Sequence, residues 1–141
     1  PNVILGVSAE NQETADARVP VLLETKAACR VVSAEPLLGR IDFNPWLLSE
    51  HGRRAIGAKA GIDWVITGGM SGHKAKPTDP DWVRTIQSQC EAAGVAFFFK
   101  QWGEFMPRNG DAFVRVGKNA AGRLLDGREY MELPELLKGA E

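Results

Sequence analysis

The stretch VAFFFKQW, residues 95–102, decides the fold. Five apolar residues run directly into a lysine, a glutamine and a tryptophan. A run this apolar, ended so abruptly, predicts a strand over 96–99 that is buried on both faces. Functional side chains of parallel α/β folds gather at the carboxyl ends of the strands. Lys100, Gln101 and Trp102 therefore become candidate site residues.

Three earlier stretches share this design: VILGVSAEN (3–11), RVVSAEP (30–36) and DWVITGGMSG (63–72). Each predicts a strand that ends at polar or glycine residues, over 3–9, 31–34 and 64–67. Between the strands at 64–67 and 96–99, Asp79-Pro80-Asp81 and Gly94 predict a helix with a strong start and stop. Weaker signals predict a helix over 12–18, a second one opened by Pro20, and a third over 45–51 capped by Asn44. Residues 52–61 predict a loop or one weak helical turn.

The strand ends repeat at a regular distance. VSAEN and VSAEP differ in one residue, and Glu10 and Glu35 stand 25 residues apart. Gly68 follows 33 residues after Glu35, and Lys100 another 32 after that. A βαβ unit needs about 30 residues, and right-handed crossovers would place the strands parallel in the order 1-2-3-4 with helices on one face. The alternative is chance identity of a short string of common residues.

These units predict an α/β fold: a partial, half TIM-like barrel of about four parallel strands over residues 1–103. Four strands do not close a barrel, which normally takes eight. Residues 104–141 predict a β-rich appendage packed on the same domain, with a strand over 113–116, a hairpin at Asp126-Gly127 and a short helix opened by Pro134. Exposed sheet edges are hazardous, so we expect a partner: the missing N-terminal half or a second copy.

Composition fits one globular domain. The chain has 141 residues, 44% hydrophobic and 25% charged, with a net charge of −1. That charge gives no general attraction to nucleic acid or anionic lipid, and no apolar run approaches the roughly 20 residues of a membrane span. With no visible signal peptide, and with Cys29 and Cys90 read as reduced and structural, we expect a cytoplasmic protein. His51 and His73 show no metal spacing.

The catalytic candidates are Glu10, Glu35 and Lys100. Carboxylates at strand ends act as acid–base groups, bind ligand hydroxyls or help hold a metal; otherwise they cap loops or pair with Lys100. Lys100 binds an anion, carries a lowered pKa, or forms an ion pair with a rim glutamate.

The remaining candidates would bind ligands. The glycine loop offers backbone N–H groups to a cofactor, or is a tight turn; its candidates are Gly68, Gly69, Ser71 and Gly72. Substrate candidates are Asn11, Gln101 and Trp102, the last by stacking or, alternatively, only packing under the appendage. A net-positive segment is either a phosphate-contacting face or a solvated surface; its basic residues are Arg108, Arg115, Lys118, Arg123 and Arg128.

Several motifs together are familiar: LGVSAENQ, SAEPLLG, FFFKQWGE and VGKNAAGRLLDGREY. The chain resembles, over nearly its whole length, the phage gene-product-37/gene-product-68 family of unknown function. Members look like radical S-adenosylmethionine enzymes whose N-terminal half carries a three-cysteine motif for a 4Fe-4S cluster. The resemblance implies that this chain is the C-terminal half of such a barrel, without cofactor and inactive alone. Relatives often carry glutamate where this chain has Met70, a departure in a loop that approaches the adenosyl cofactor in similar proteins.

Two functions remain open. In the first, rim residues bind the cofactor or substrate of a radical enzyme, with S-adenosylmethionine and the 4Fe-4S cluster present only in a full-length protein. In the second, the chain is a non-catalytic binding or structural module of phage origin. A cysteine triad encoded upstream would favour the enzyme.

Overall fold

A computed structural model describes residues 2–56, 60–109 and 112–139. The elements in chain order are β1 (Ile4–Ser8), α1 (Gln12–Glu24), β2 (Cys29–Ala34), α2 (Glu50–Ile56), β3 (Trp64–Thr67), α3 (Pro80–Ala93), β4 (Ala96–Phe99), β5 (Phe105–Pro107), β6 (Phe113–Arg115), α4 (Lys118–Ala121) and a short 3-10 helix (Glu135–Leu137). Among the helices described, none has the length and apolar character needed to cross a membrane.

The main sheet is parallel, in the predicted order β1-β2-β3-β4. Its register aligns Val7, Val32, Val65 and Phe97 in one row across the four strands. This face is buried beneath α1 and α3, whose apolar residues join the same core; they include Ala15, Val19, Leu22, Val83, Ile86 and Cys90. The fold is therefore a layer of helices on one face of a parallel sheet, as the crossover spacing predicts.

The opposite face of the sheet is half-buried or exposed, except at Cys29, which is buried at the start of β2. Two rows of the register lie on it: Gly6, Val31, Trp64 and Ala96, and then Ser8, Ser33, Ile66 and Phe98. Side chains on β1 and β2 are small, whereas Trp64 and Phe98 pack edge to face with ring centroids 6.2 Å apart. We call this surface the open face.

Helix α1 differs from the prediction because it is one helix, with Pro20 inside it. Asn11 caps it, accepting from the Thr14 N–H while the Thr14 hydroxyl accepts from the Asn11 N–H. Proline removes one backbone hydrogen bond from a helix. Val19 and Leu22 are both buried on either side of Pro20, so core packing carries the helix through it.

Helix α2 begins later than predicted. The Asn44-Pro45 signal marks only a turn, in which the N–H groups of Trp46 and Leu47 both donate to the Phe43 carbonyl, at 2.9 and 3.1 Å. Ser49 is the actual cap, since its hydroxyl accepts from the Gly52 N–H at 3.0 Å. Of the two alternatives for 52–61, the helical turn is therefore the one found at 52–56. Residues 57–59 lie outside the described part.

The appendage contains an antiparallel hairpin, but at β5 and β6 rather than at Asp126-Gly127. The Asp126-Gly127 turn forms, with φ of 51° and 79°, yet only a single bridge joins Leu125 and Arg128. The following residues run along β4 instead: the Phe99 N–H donates to the Tyr130 carbonyl at 2.8 Å. This segment covers the β4 edge of the sheet.

A three-way ion cluster fastens the appendage to α3. Arg84 binds Asp126 through Nη2 and Nε, at 2.7 and 2.9 Å, and binds Asp81 through Nη1 at 2.7 Å. The hydrogen bonds from Arg84 lower the pKa of the Asp126 carboxyl. Both side chains are about half exposed, so solvent screening limits the gain to the order of 1 kcal/mol.

We expect Asp126→Asn to lower the free energy of unfolding by about 1 kcal/mol at neutral pH, and by less in acid. Because the folded-state pKa is lowered, the stabilisation is full above the usual aspartate pKa of about 3.9 and is lost as pH falls through the folded value. Urea unfolding from neutral pH to below pH 3.9 measures this, with Glu13→Gln on α1 as a charge control. A cost that stays constant over that range would contradict the linkage.

Candidate functional site

The carboxyl ends of the strands carry one row of polar residues on the side of the open face. The sheet ladder continues past the strands through Ala9 N–H to Ser33 O at 3.0 Å and Lys100 N–H to Thr67 O at 2.8 Å. Two residues beyond the row that holds Ser33 come Glu10, Glu35, Gly68 and Lys100. Since side chains alternate along a strand, this row belongs to the open face.

Four of the predicted site residues form one cluster at this edge. Lys100 Nζ lies 3.2 Å from Glu35 Oε1, and Gln101 Nε2 lies 3.5 Å from the same oxygen. Gln101 Nε2 also donates to the Gly69 carbonyl at 3.2 Å and approaches Ser71 Oγ at 3.4 Å. We call Glu35, Ser71, Lys100 and Gln101 the rim cluster. It combines a carboxylate, an exposed ammonium, a hydroxyl and a carboxamide.

The Gln101 carboxamide is satisfied on one side only. Its nitrogen meets Glu35, Gly69 and Ser71, whereas Oε1 is buried and accepts no hydrogen bond from any described residue. A buried acceptor without a donor is costly, so we expect a water molecule to donate to it. The rim cluster therefore has an unused acceptor beside an exposed cation.

Glu10 and Asn11 are held elsewhere. The Glu10 carboxylate pairs with Arg18 of α1 at 3.3 Å, and Arg18 also donates to the Ser8 carbonyl at 2.8 Å. The Asn11 side chain caps α1. The structure thus brings Glu35, Lys100, Gln101 and Ser71 into contact, while Glu10 shares their edge with its charge directed to α1.

The glycine loop is fastened to the segment that leaves β4. Gly69 N–H donates to the Gln101 carbonyl at 2.8 Å, and Glu104 N–H donates to the Met70 carbonyl at 3.1 Å. The Gly72 N–H donates to Glu104 Oε1 at 3.0 Å. The N–H groups of Gly69 and Gly72 are therefore engaged by protein acceptors, and the loop places Ser71 beside Gln101.

Glu104 is a structural residue that sequence reasoning missed. Besides Gly72, its carboxylate pairs with Arg115 of β6 at 3.6 Å, and its carbonyl accepts from Val116 and Gly117. Arg115 in turn donates to the His73 carbonyl at 3.0 Å. We call these contacts the Glu104 junction. The sequence signal for Glu104 was an acidic residue directly after Trp102-Gly103, at a position that no pattern of alternating apolar and polar residues explains.

Trp102 lies inside the protein rather than on the rim. It is 5% exposed, packs edge to face on Phe99 at 4.8 Å, and donates its indole N–H to the Leu124 carbonyl at 2.9 Å. These contacts bury it under the appendage, which is the alternative role that the sequence left open.

Both cysteines lie at the opposite end of the sheet. Cys29 begins β2 and, with Cys90, borders a cavity of about 860 Å³ near the start of β4. Burial and the Glu132 charge raise the pKa of the Cys90 thiol to about 12, and burial and Asp63 raise the pKa of Cys29. Both cysteines are free and buried. Over the described residues, no group of three His, Cys, Asp or Glu side chains could hold a metal ion.

Comparison with known proteins gives one match. Residues 1–134 fit the sequence profile of the family described as "Protein of unknown function (DUF5131)". Searches of curated proteins and of solved structures found no similar protein.

Proposed function

Since the chain belongs to the DUF5131 family of proteins of unknown function, we propose that it is the C-terminal half of a radical S-adenosylmethionine-like barrel of phage or prophage type. In this role the rim cluster binds cofactor or substrate, and the chain alone is inactive. The observation that carries the proposal is a rim of polar groups above the open face of a parallel sheet. In barrels of this class, that face lines the interior and the carboxyl edge holds the site.

The unpaired edge of β1 supports a missing half. Odd-numbered residues of β1 bond to β2, as the Val3 carbonyl and the Ala9 N–H show. The backbone groups of Ile4 and Gly6 therefore point away from the sheet. Val3 and Ile4 are 54% and 43% exposed, which is unusual for a strand of a parallel sheet. We propose that the N-terminal half of a longer protein, or a second copy, pairs with this edge.

The rim cluster fits the amino-acid end of S-adenosylmethionine. Glu35 accepts hydrogen bonds from an ammonium group, and Lys100 and Ser71 donate to a carboxylate. Bound to a reduced iron–sulfur cluster, this cofactor supplies radical chemistry, while the residues of this chain bind and orient it. The cluster itself finds no ligands among the described residues. Both cysteines are free.

Anaerobic reconstitution of the complete reading frame tests the proposal. We expect iron and sulfide in equal amounts and binding of S-adenosylmethionine by calorimetry. Glu35→Gln and Lys100→Met should each weaken that binding about tenfold, the effect of losing about 1.4 kcal/mol from one charged contact, with unchanged iron content. Lys100 is 57% exposed, so its loss should lower stability by less than about 1 kcal/mol.

Glu24→Gln, at the far end of α1, serves as the matched control for Glu35→Gln. If the complete protein holds no iron, the alternative is the better reading: a binding or structural module without chemistry. If iron is bound but both rim variants bind the cofactor as the wild type does, the rim cluster is not the cofactor site. For the isolated chain, sedimentation distinguishes pairing of two copies, which gives a dimer, from dependence on the missing half.

A further inference from the structure

Two segments that carry exposed basic residues meet at the Glu104 junction. Lys74 and Lys76 follow the glycine loop, and Arg115 and Lys118 lie on β6 and at the start of α4. The bond from Arg115 to the His73 carbonyl joins the two segments directly. We call Lys74, Lys76, Arg115 and Lys118 the basic surface. All four side chains are exposed.

The charge of this surface is locally unbalanced, although the whole chain carries −1. The described segments 72–78, 104–109 and 112–118 contain five basic residues and one acidic residue, Glu104. Its carboxylate is 19% exposed and is engaged by Gly72 and Arg115. No acidic side chain of the described residues pairs with Lys74, Lys76 or Lys118 within 4.0 Å.

We propose that the basic surface binds the phosphate backbone of a nucleic acid. Lysine and arginine side chains that neutralise phosphates release counterions, which supplies affinity without reading bases. The glycine loop connects this surface to the rim cluster, since Ser71 in that loop contacts Gln101.

An anionic membrane fits the same surface less well. Peripheral membrane binding needs a second, apolar signal beside the basic residues. Among the large apolar residues of these two described segments, Val114 alone is exposed, at 41%. The surface offers charge without an inserting apolar group, which suits a phosphate backbone.

Two arginines of the segment 108–128 lie outside this surface. Arg128 stacks on the Tyr130 ring at 4.8 Å, beside the β4 edge, and Arg123 pairs with Glu129 at 3.9 Å. The basic segment noted in the sequence is therefore divided in space, and the basic surface takes only Arg115 and Lys118 from it. That division provides a control with the same loss of charge.

The test compares two triple variants with the wild-type chain by fluorescence anisotropy, using short labelled oligonucleotides, single- and double-stranded. The first is Lys74→Gln, Lys76→Gln and Lys118→Gln; the control is Lys26→Gln, Arg128→Gln and Lys138→Gln. Each phosphate contact contributes about 0.7 to the salt slope for a single strand and about 0.9 for a duplex. We expect the first triple variant to lower the slope by about 2 to 3 and the affinity at low salt at least about tenfold, while the control keeps the wild-type slope.

The opposite results overturn the proposal: no oligonucleotide binding by the wild-type chain, equal losses in both triple variants, or binding only to vesicles rich in anionic lipid. Thermal unfolding of both variants checks that folding is intact, since the substituted side chains are all exposed. The measurement needs neither cluster nor cofactor, so it succeeds or fails independently of the proposed function.

Discussion

Gly103→Ala should destabilise the protein by about 3 kcal/mol or more, the range of severe backbone and packing strain. Gly103 has a φ of +85°, and a Cβ there would lie 2.2 Å from the Met70 carbonyl oxygen and 2.7 Å from its carbon. Both are backbone atoms, so the glycine loop and the β4 exit would have to separate. Urea unfolding measures the loss.

Gly117→Ala is the matched control. Gly117 has the same φ of +85°, but nothing lies within 4 Å of its added Cβ. Its substitution therefore reports the conformational strain alone, which is about 1 kcal/mol. Equal costs at the two positions would show that the contact between Met70 and Gly103 is looser than described. The backbone shift forced by Gly103→Ala should also move Ser71 away from Gln101. Ligand binding at the rim cluster should then weaken.

Trp102→Ala should cost about 3 to 5 kcal/mol in unfolding free energy, as for other large buried aromatic residues. The cavity would open between Phe99 and the appendage, and the Leu124 carbonyl would lose its donor. Trp102→Phe should cost less, because it keeps much of the packing and loses the hydrogen bond.

Trp82, only partly buried on α3, is the control for tryptophan removal and should cost less than Trp102. Chemical denaturation gives both values. If Trp102→Ala were nearly as stable as the wild type, Trp102 would be free to stack on a ligand, as the sequence alone allows.

Much of the sheet could be predicted from sequence because its signals are local and repeated. The strands at Trp64–Thr67 and Ala96–Phe99 are bounded by abrupt changes from apolar to polar residues. The helix at Pro80–Ala93 has a cap, a proline and a terminal glycine that agree with each other. Where independent local signals favour the same structure, tertiary packing seldom changes it.

The failures arose where a local signal met a long-range contact. Asn44-Pro45 is a good helix start, but burial of Phe43 and Leu47 turns the chain there and moves the start to Ser49. Asp126-Gly127 makes the turn that a hairpin needs. However, Asp126 pairs with Arg84, and the residues after the turn bond to the edge of β4 instead of to the residues before it.

The candidate site likewise has a part that the sequence predicts and a part that depends on long-range contacts. Strand spacing placed Glu35 and Lys100 at one edge, because parallel register follows from crossover length. The turn of Glu10 toward Arg18 depends on the side-chain geometry of α1, which spacing does not contain. The free Gln101 oxygen likewise appears only once Gly69 and Ser71 are in place.

Arg18 has a consequence for any strand that joins β1. Its guanidinium occupies the Ser8 carbonyl, the last acceptor on the free side of that strand, and holds Glu10 with the same nitrogen. An added strand that pairs along the full length of β1 would compete for that carbonyl and would have to displace the guanidinium. Displacing Arg18 would leave the Glu10 carboxylate without its cation at the carboxyl edge of the sheet. Strand pairing at β1 and the electrostatic potential at that edge are therefore coupled through the Arg18 side chain.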